Sequence, residues 1–307
     1  MTPMMTESTT DARPAMQTLH SADALIATWL RHDWRESFFA PGLSILQALT
    51  RDGRTASGAG MDREEALNRC LGETAEILAL NMLSRDRSGG QSRPFDPRCD
   101  GLAAHPDPHI ARQAALNEAC ERFAVAKWWL GHSRVHAMPP LWLDSCGLTA
   151  ELQQMRDGAA LRRRTDWWQI DMHQGPITMI CRSMSVEGQD PLLGFGTHAD
   201  PVAAAGKALR ELLLMELNLM ELLAARSTGG VPALRPVNDR IRDYTRRLPM
   251  LLRSSMPDPP GRESVNTFPP RPECREITGA GAPLSVWLCQ PDVAPPPFTA
   301  ETGSPYF

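Results

Sequence analysis

Lysine is almost missing from this chain: Lys127 and Lys207 are the only two among 32 basic residues. The others are arginines, which reads as a compositional bias, so the run Arg162-Arg163-Arg164 is expected to be a solvated face instead of a binding patch. The formal net charge is −4, which gives no reason to expect nucleic acid or an anionic membrane as partner. No apolar run approaches the length needed to cross a bilayer, so no membrane span is expected. The first residues lack a basic stretch followed by an apolar one, and 1–20 reads as a disordered N-terminus, not a signal segment. None of the seven cysteines falls in a C-x-x-C pair, and their number is odd. That argues against a zinc site or a disulfide framework and points to reduced thiols in a cytoplasmic protein.

What is present is enough apolar material, over 307 residues, for a sizeable core. Helical spacing runs from Ala22 to Arg31, and a second apolar stretch covers Leu43 to Leu49. Ser57-Gly58-Ala59-Gly60 reads as a turn, after which Asp62 can cap a helix to about Leu83. Loop composition from Ser84 to Pro108 contains the small-residue patch Gly101 to Ala104, followed by a helix from Pro108 to about Leu130. A helix is expected over Leu152 to Leu161, a strand pair over Trp167 to Met184 around Gly175-Pro176, and a short strand over Leu192 to Gly196. Then come a strong helix to about Ala225, a basic helix from Asp239 to Leu252, and a strand near Val286 to Leu288. These patterns divide the chain into a core at 21–228, a helical and irregular continuation at 229–290, and a proline-rich tail at 291–307 that lies in a groove or hangs free. No repeat of fixed period is evident, but a small-residue turn followed by an acid-bearing helix occurs twice.

Chemistry concentrates in those helices. Glu73 and Glu76 stand three apart, as do Glu118 and Glu121, so each pair shares one helix face. Such pairs are common on solvated helices, but these lie among leucines and alanines, where an unmet carboxylate is costly. Two pairs from two helices suit divalent metal, and all-oxygen ligation completed by phosphate suits Mg²⁺, which implies a nucleotide. A third helix carries Lys207, Arg210 and Glu211. Elsewhere the plainer readings prevail. Trp128-Trp129 and Trp167-Trp168 read as core or interface aromatics, His132 and His136 as a turn pair without a third ligand, and Cys120 as a small buried hydrophobe lacking a base partner.

Taken in order, these blocks resemble the YcaO family. Its members show a small turn, often S-G-K-G, before a helix with S-x-x-x-E-x-x-E-R, matched by Ser57 to Gly60 and Arg69 to Ile77. A G-L-A-A-G-like turn, an E-x-x-E-R helix and often two tryptophans follow, matched by Gly101 to His105, then Glu118, Glu121, Arg122 and Trp128-Trp129. An I-D strand with a G-I-P-like turn is matched by Ile170-Asp171 and Gly175-Pro176-Ile177. A glycine-containing strand and an A-x-x-x-A-L-x-E helix are matched by Gly194-Phe195-Gly196 and by Ala204 to Glu211.

The resemblance implies an α/β fold with acid-bearing helices packed on mixed sheets around a central nucleotide and Mg²⁺ pocket. It implies Glu73, Glu76, Glu118 and Glu121 as Mg²⁺ ligands, and Ser57, Arg69, Arg122, Lys207, Arg210 and Glu211 as ATP contacts. The activity it implies is phosphorylation of a backbone amide in a ribosomal precursor peptide, then attack by Cys, Ser, Thr or sulfide to give azolines or thioamides. A separate leader-peptide-binding partner is expected, because Met1 to Asp52 is too short for the family's winged-helix module; a homodimer is compatible with the resemblance. Several positions depart from the pattern: Ala59 replaces a lysine, Arg69 a serine, Ile77 an arginine, Phe123 an acid and Leu214 a glutamine. Metal-ligand positions have survived better than nucleotide contacts. Two readings follow: an ATP-using enzyme, or a degenerate subunit that holds peptide for a partner enzyme.

Overall fold

The protein was studied as a computed structural model, which describes residues 22–85, 93–228, 234–253, 272–279, 281–299 and 301–306. The expected N-terminal segment at 1–20 lies outside the described residues.

Three antiparallel sheets each carry one long helix. The first sheet is a meander of β1 (Trp29–Arg35), β2 (Ser44–Thr50) and β3 (Thr55–Gly60), followed by helix α1 (Arg63–Arg85). The second orders β4 (Gly101–His105), β10 (Ser285–Gln290) and β9 (Glu273–Glu276), with α2 (Pro108–Trp129) leaving β4. The third runs β5 (Val135–Ala137), β6 (Arg163–Ile170), β7 (Ile177–Ser185) and β8 (Leu192–His198), with α5 (Pro201–Thr228) leaving β8. Short helices α3 (Pro140–Ser145) and α4 (Leu148–Arg156) bridge β5 and β6, and α6 (Arg235–Leu251) follows α5. This is the mixed α/β architecture expected.

Two stretches expected to be turns are strands. Ser57 to Gly60 lies in β3 and Gly101 to Ala104 in β4. Their small residues let a helix lie against the strand instead of turning the chain. A Cβ on Gly58 would fall 2.0 Å from the Ala66 carbonyl oxygen, and one on Gly101 would fall 1.9 Å from that of Ala115. Gly194 and Gly196 in β8 make the same approach, each 2.2 Å from a carbonyl of α5, Ala208 and Ala204 respectively. The helical reading of Ala22 to Arg31 also fails in part. Only 22–26 are helical, and Trp29 opens β1, where its indole N–H donates to Thr74 Oγ1 at 2.9 Å.

The glycine contacts expose a repeat that occurs three times, not twice. In each strand–helix unit a glutamate sixteen residues on accepts a hydrogen bond from a strand N–H: Ser57 to Glu73 at 2.7 Å, Leu102 to Glu118 at 3.0 Å, Phe195 to Glu211 at 3.3 Å. An aspartate at one matched position caps each helix, Asp62, Asp107 and Asp200 accepting from backbone N–H groups of the first turn. The positions facing the sheet match too: Ala66, Ala111 and Ala204 are buried, as are Cys70, Ala115 and Ala208. Small side chains here let helix and strand backbones touch.

Three further expectations change. Arg163 is not part of a solvated face: strand alternation turns it inward, where it and Arg156 share buried Glu216 at 3.2 and 2.8 Å. Reduced cysteines are not the whole picture, because register places Cys274 opposite Cys289 across β9 and β10, and the two form a disulfide. The other five are free. The C-terminal segment is docked. Trp129 Nε1 donates to the carbonyls of Thr302 and Gly303, and the Tyr244 hydroxyl donates to that of Pro305 at 2.6 Å. No helix among the described residues is long and apolar enough to cross a membrane.

Candidate functional site

The three units converge on a cavity of about 1220 Å³ whose wall includes all ten residues singled out in the sequence. Unit one contributes Ser57, Arg69, Glu73 and Glu76; unit two gives Glu118, Glu121 and Arg122; unit three gives Lys207, Arg210 and Glu211. Chain order does not explain this gathering. The repeat does, because it carries the same helix face to the same centre three times.

Each carboxylate is held. Glu73, Glu118 and Glu211 each bind the strand of their own unit, as above. Glu76 reaches across to unit two and accepts from the Ala104 N–H at 2.9 Å. Glu121, buried, meets Lys207 Nζ of unit three at 3.1 Å, while Glu118 holds Arg122 at 2.9 Å one turn along its own helix. Arg122 is sandwiched from behind, its guanidinium carbon 4.2 Å from the ring centre of Tyr306.

Charge in this centre is not balanced by the protein. Five carboxylates face two close cations, Lys207 and Arg122. Burial pushes Glu73 up to about 7, partly opposed by the Ser57 N–H and reinforced by Glu118. Burial likewise carries Glu211 to about 7, with Glu121 adding to it. Glu76 is raised well above the usual carboxylate range by burial, then by Glu118 and Glu73. Burial disfavours the Lys207 ammonium, yet Glu121, Glu118 and Glu211 together raise its pKa. A cluster of oxygen donors short of positive charge suits a hard divalent cation. Among the described residues, however, no three acidic, His or Cys side chains converge tightly enough to grip an ion by themselves. Phosphate oxygens and water would have to complete any shell.

Arg69 does not plug the cavity. It turns along α1 to Glu65 at 2.9 Å and stays at the rim, exposed. Glu65 itself binds the Met61 N–H at 2.9 Å, so this pair is anchored. Sequence reasoning missed Glu65 and Tyr306. The first forms an ordinary capping pattern with Asp62, and the second comes from a segment whose docking no local spacing announces. The plainer readings hold elsewhere. Trp128, Trp129, Trp167 and Trp168 are buried, and Cys120 is a buried thiol pushed up to about 12, chiefly by burial.

Residues 80–278 match the family of YcaO cyclodehydratases, described as ATP- and Mg²⁺-binding; the matched range begins just past the first acidic pair. Among solved structures the chain is similar to YcaO from Methanopyrus kandleri bound with AMPPCP and Mg²⁺, with TM-score 0.51 and 11% identity over 92% of this chain and 91% of that one. It is similar to a heterocyclase in complex with substrate and cofactor, with TM-score 0.61 and 15% identity over 94% of this chain and 54% of that one. It also resembles the E. coli microcin synthetase McbBCD complex with pro-MccB17 bound, with TM-score 0.52 and 12% identity over 87% and 88% of the two chains. No curated protein matches. At such identities the structural likeness speaks for the fold, whereas the family match spans well over half of the chain. With ATP and Mg²⁺ as its cofactors, the chain belongs to the YcaO cyclodehydratase family.

Proposed function

We propose that this chain phosphorylates a backbone amide oxygen of a ribosomally made peptide, so that a neighbouring Cys, Ser or Thr, or sulfide, can form an azoline or thioamide at the amide carbon. The observation that carries this reading is the gathering of five glutamates from three helices at one cavity with too few cations to neutralise them. In this reading Glu73, Glu76, Glu118 and Glu121 hold Mg²⁺, while Ser57, Arg69, Arg122, Lys207, Arg210 and Glu211 surround the nucleotide. ATP would supply the phosphoryl group that turns a poor leaving oxygen into a good one, with Mg²⁺ spreading the charge.

The protein's own share is placement. The strand N–H groups fix one oxygen of Glu73, Glu118 and Glu211, and Arg122 takes the other oxygen of Glu118. Lys207 pairs with Glu121 and fixes its position, and Tyr306 holds Arg122 against Glu118. Such preorganisation is worth more than flexible charges of the same number.

A precursor peptide, and a separate partner that recognises its leader, complete the proposal. A homodimer is compatible with it. A cytoplasmic setting fits the five free thiols. A second reading, a degenerate subunit that holds peptide for another enzyme, is favoured by Ala59 and Leu214, apolar residues where the family pattern is polar. Calorimetry of the full chain with ATP and Mg²⁺ tests the first. Binding with slow phosphate release, increased by a thiol-bearing peptide, is expected. Absence of heat at millimolar nucleotide from folded protein would refute it, and binding without any phosphate release would leave the second reading.

A further inference from the structure

A pocket of about 300–1,000 Å³ commonly suffices for one small ligand, and the central cavity measures about 1220 Å³. The metal and nucleotide residues named above all come from the three repeated units, but part of the wall does not. Ala22 and Leu25 precede the first sheet, and Leu284 lies in the loop that enters β10. Together with Leu71 of α1 and with Leu102 and Ala104 of β4, these cavity-lining residues belong to one hydrophobic cluster. One side of the cavity is therefore a continuous apolar wall, and none of its six side chains carries a hydrogen-bond donor or acceptor.

This wall adjoins the acids through β4. The Leu102 N–H donates to Glu118 and the Ala104 N–H to Glu76, so both N–H groups are occupied and the side chains beside them are left to meet a ligand. The repeat also leaves a space here. One residue before the strand-bound glutamate, unit two carries Asn117 and unit three Arg210, whereas unit one has Gly72. Gly72 lines the cavity on the face of α1 that also bears Arg69 and Glu76. Outside its own helix, a Cβ there would meet only the Ala104 carbonyl oxygen, at 3.8 Å. Glycine inside a helix costs about 0.8–1 kcal/mol relative to alanine, yet no neighbouring side chain fills the room it leaves. Such a position lets a ligand come close to the helix backbone.

We propose that this wall, with the space at Gly72, is a side-chain pocket for the peptide, and that it selects an aliphatic residue at the position whose carbonyl is modified. The inference rests on the reading of the chain as an amide-phosphorylating enzyme. That reaction needs two ligands side by side, and a cavity of this size has room for both. The nucleotide is anionic and belongs with the cations. The peptide amide is neutral, and the side chain of the residue that supplies the carbonyl sits on the carbon next to the reacting one. An amide placed beside Glu76 and Glu118 therefore brings that side chain to β4 and its apolar neighbours. A purine would need directed hydrogen bonds at its edge, which these six side chains do not supply, whereas an aliphatic group needs none.

Calorimetry on the full chain, with Mg²⁺ and a non-hydrolysable ATP analogue present, would use peptides of one polar sequence that differ only in the residue before a single Cys: Leu, Gly or Asn. The Leu peptide is expected to bind about tenfold or more tighter than the other two, the scale of burying one aliphatic side chain. Leu284→Asn makes the wall polar, and Gly72→Leu fills the space. Each is expected to cut the preference for Leu to about threefold or less while affinity for the analogue stays within about threefold of the wild type. Retained analogue binding and a melting temperature near that of the wild type exclude a folding defect, and the wild-type peptide series decides the matter even if a variant does not fold. Equal affinity for the three peptides overturns the proposal, as does a chain that binds the analogue but no peptide. Folded variants that keep the full preference for Leu also overturn it. Variants that lose the analogue instead overturn it in favour of the nucleotide base. A wild-type chain that does not bind the analogue with Mg²⁺ refutes the reading of the cavity itself, a different failure.

Discussion

Stripping divalent metal while raising the pH should expose what the acid cluster costs the fold. Glu73 and Glu211 both stand at about 7 against an ordinary 4.5, burial being the main cause in each. A carboxyl whose folded pKa exceeds its unfolded one stabilises the fold fully below the unfolded value, and that contribution is lost as pH rises through the folded value. A rise of about 2.5 units, at roughly 1.4 kcal/mol per unit, gives on the order of 3 kcal/mol for each group. The two share neighbours, so their effects do not add fully. Glu76, raised for the same reasons, acts with the same sign. Asp52 and Glu65 act with the opposite sign, because hydrogen bonds from Thr50 and Asn81 hold the first low and, against burial, the Met61 N–H and Arg69 hold the second low. Their contribution is lost only as pH falls below about 4, outside the window between 5 and 8.

In a chelating buffer, then, stability should fall between roughly pH 5 and 8 by a few kcal/mol, several degrees of melting temperature for a domain of this size. If the cluster holds Mg²⁺ as proposed, the ion would bind the ionised carboxylates, and the rise in melting temperature it produces should be larger at about pH 8 than at about pH 5.5. Glu73→Gln keeps an acceptor for the Ser57 N–H but cannot ionise, and should flatten part of the slope. Scanning calorimetry of both proteins across the pH series checks this. A metal-free wild type whose stability is constant or rises over that window refutes the account of the cluster, as does a Glu73→Gln slope equal to the wild type's.

Two stability predictions follow from the packing. Gly101→Ala sets a methyl 1.9 Å from the Ala115 carbonyl and should cost several kcal/mol or prevent folding, whereas Gly72→Ala in α1, whose methyl would meet only the Ala104 carbonyl of β4 at 3.8 Å, should stabilise by about 0.5–1 kcal/mol in urea melts. Glu216→Gln leaves Arg156 and Arg163 sharing no anion in the interior and should cost about 3–5 kcal/mol by the same measurement, more than truncation of the half-buried Glu65.

The three long helices were legible because their apolar positions recur at helical spacing and aspartates cap them, whereas the helix expected over Leu152 to Leu161 in fact spans Leu148–Arg156. The acids were legible as candidate site residues because they interrupt Ala- and Leu-rich faces, where a solvated helix would carry no such cost. Strands β3 and β4 were not legible. Small residues in short runs signal a turn locally, and only the close approach of α1 and α2 shows that a strand needs them. The third unit escaped notice for a different reason. Strands β5 to β7 and helices α3 and α4 separate it from the second, and Leu214 removes the paired acid that marked the other two. The Cys274–Cys289 bond depends on the register of β9 against β10, which no spacing in the chain reveals. Tyr306 reaches Arg122 because Trp129, Tyr244 and Arg246 fasten the segment before it.

Seen through the repeat, three of the departures from the family pattern are not independent. Ala59 of unit one matches Ala104 of unit two, the residue whose N–H meets Glu76. Leu214 stands where an acid directed at Ala59 would be, and Arg69 stands where the cation paired with that acid would be. All three fall on the boundary between units three and one, while the other two boundaries keep Glu76, Glu121 and Lys207. Ile77 and Phe123 depart elsewhere, yet every strand-bound glutamate stays in place, which loss of function gives no reason to expect. Exchange of a polar corner for an apolar one bearing arginine, with Glu73, Glu76, Glu118 and Glu121 all kept, would change how the anionic part of a ligand is held and keep the proposed cation ligands. That pattern favours the enzyme over the degenerate subunit.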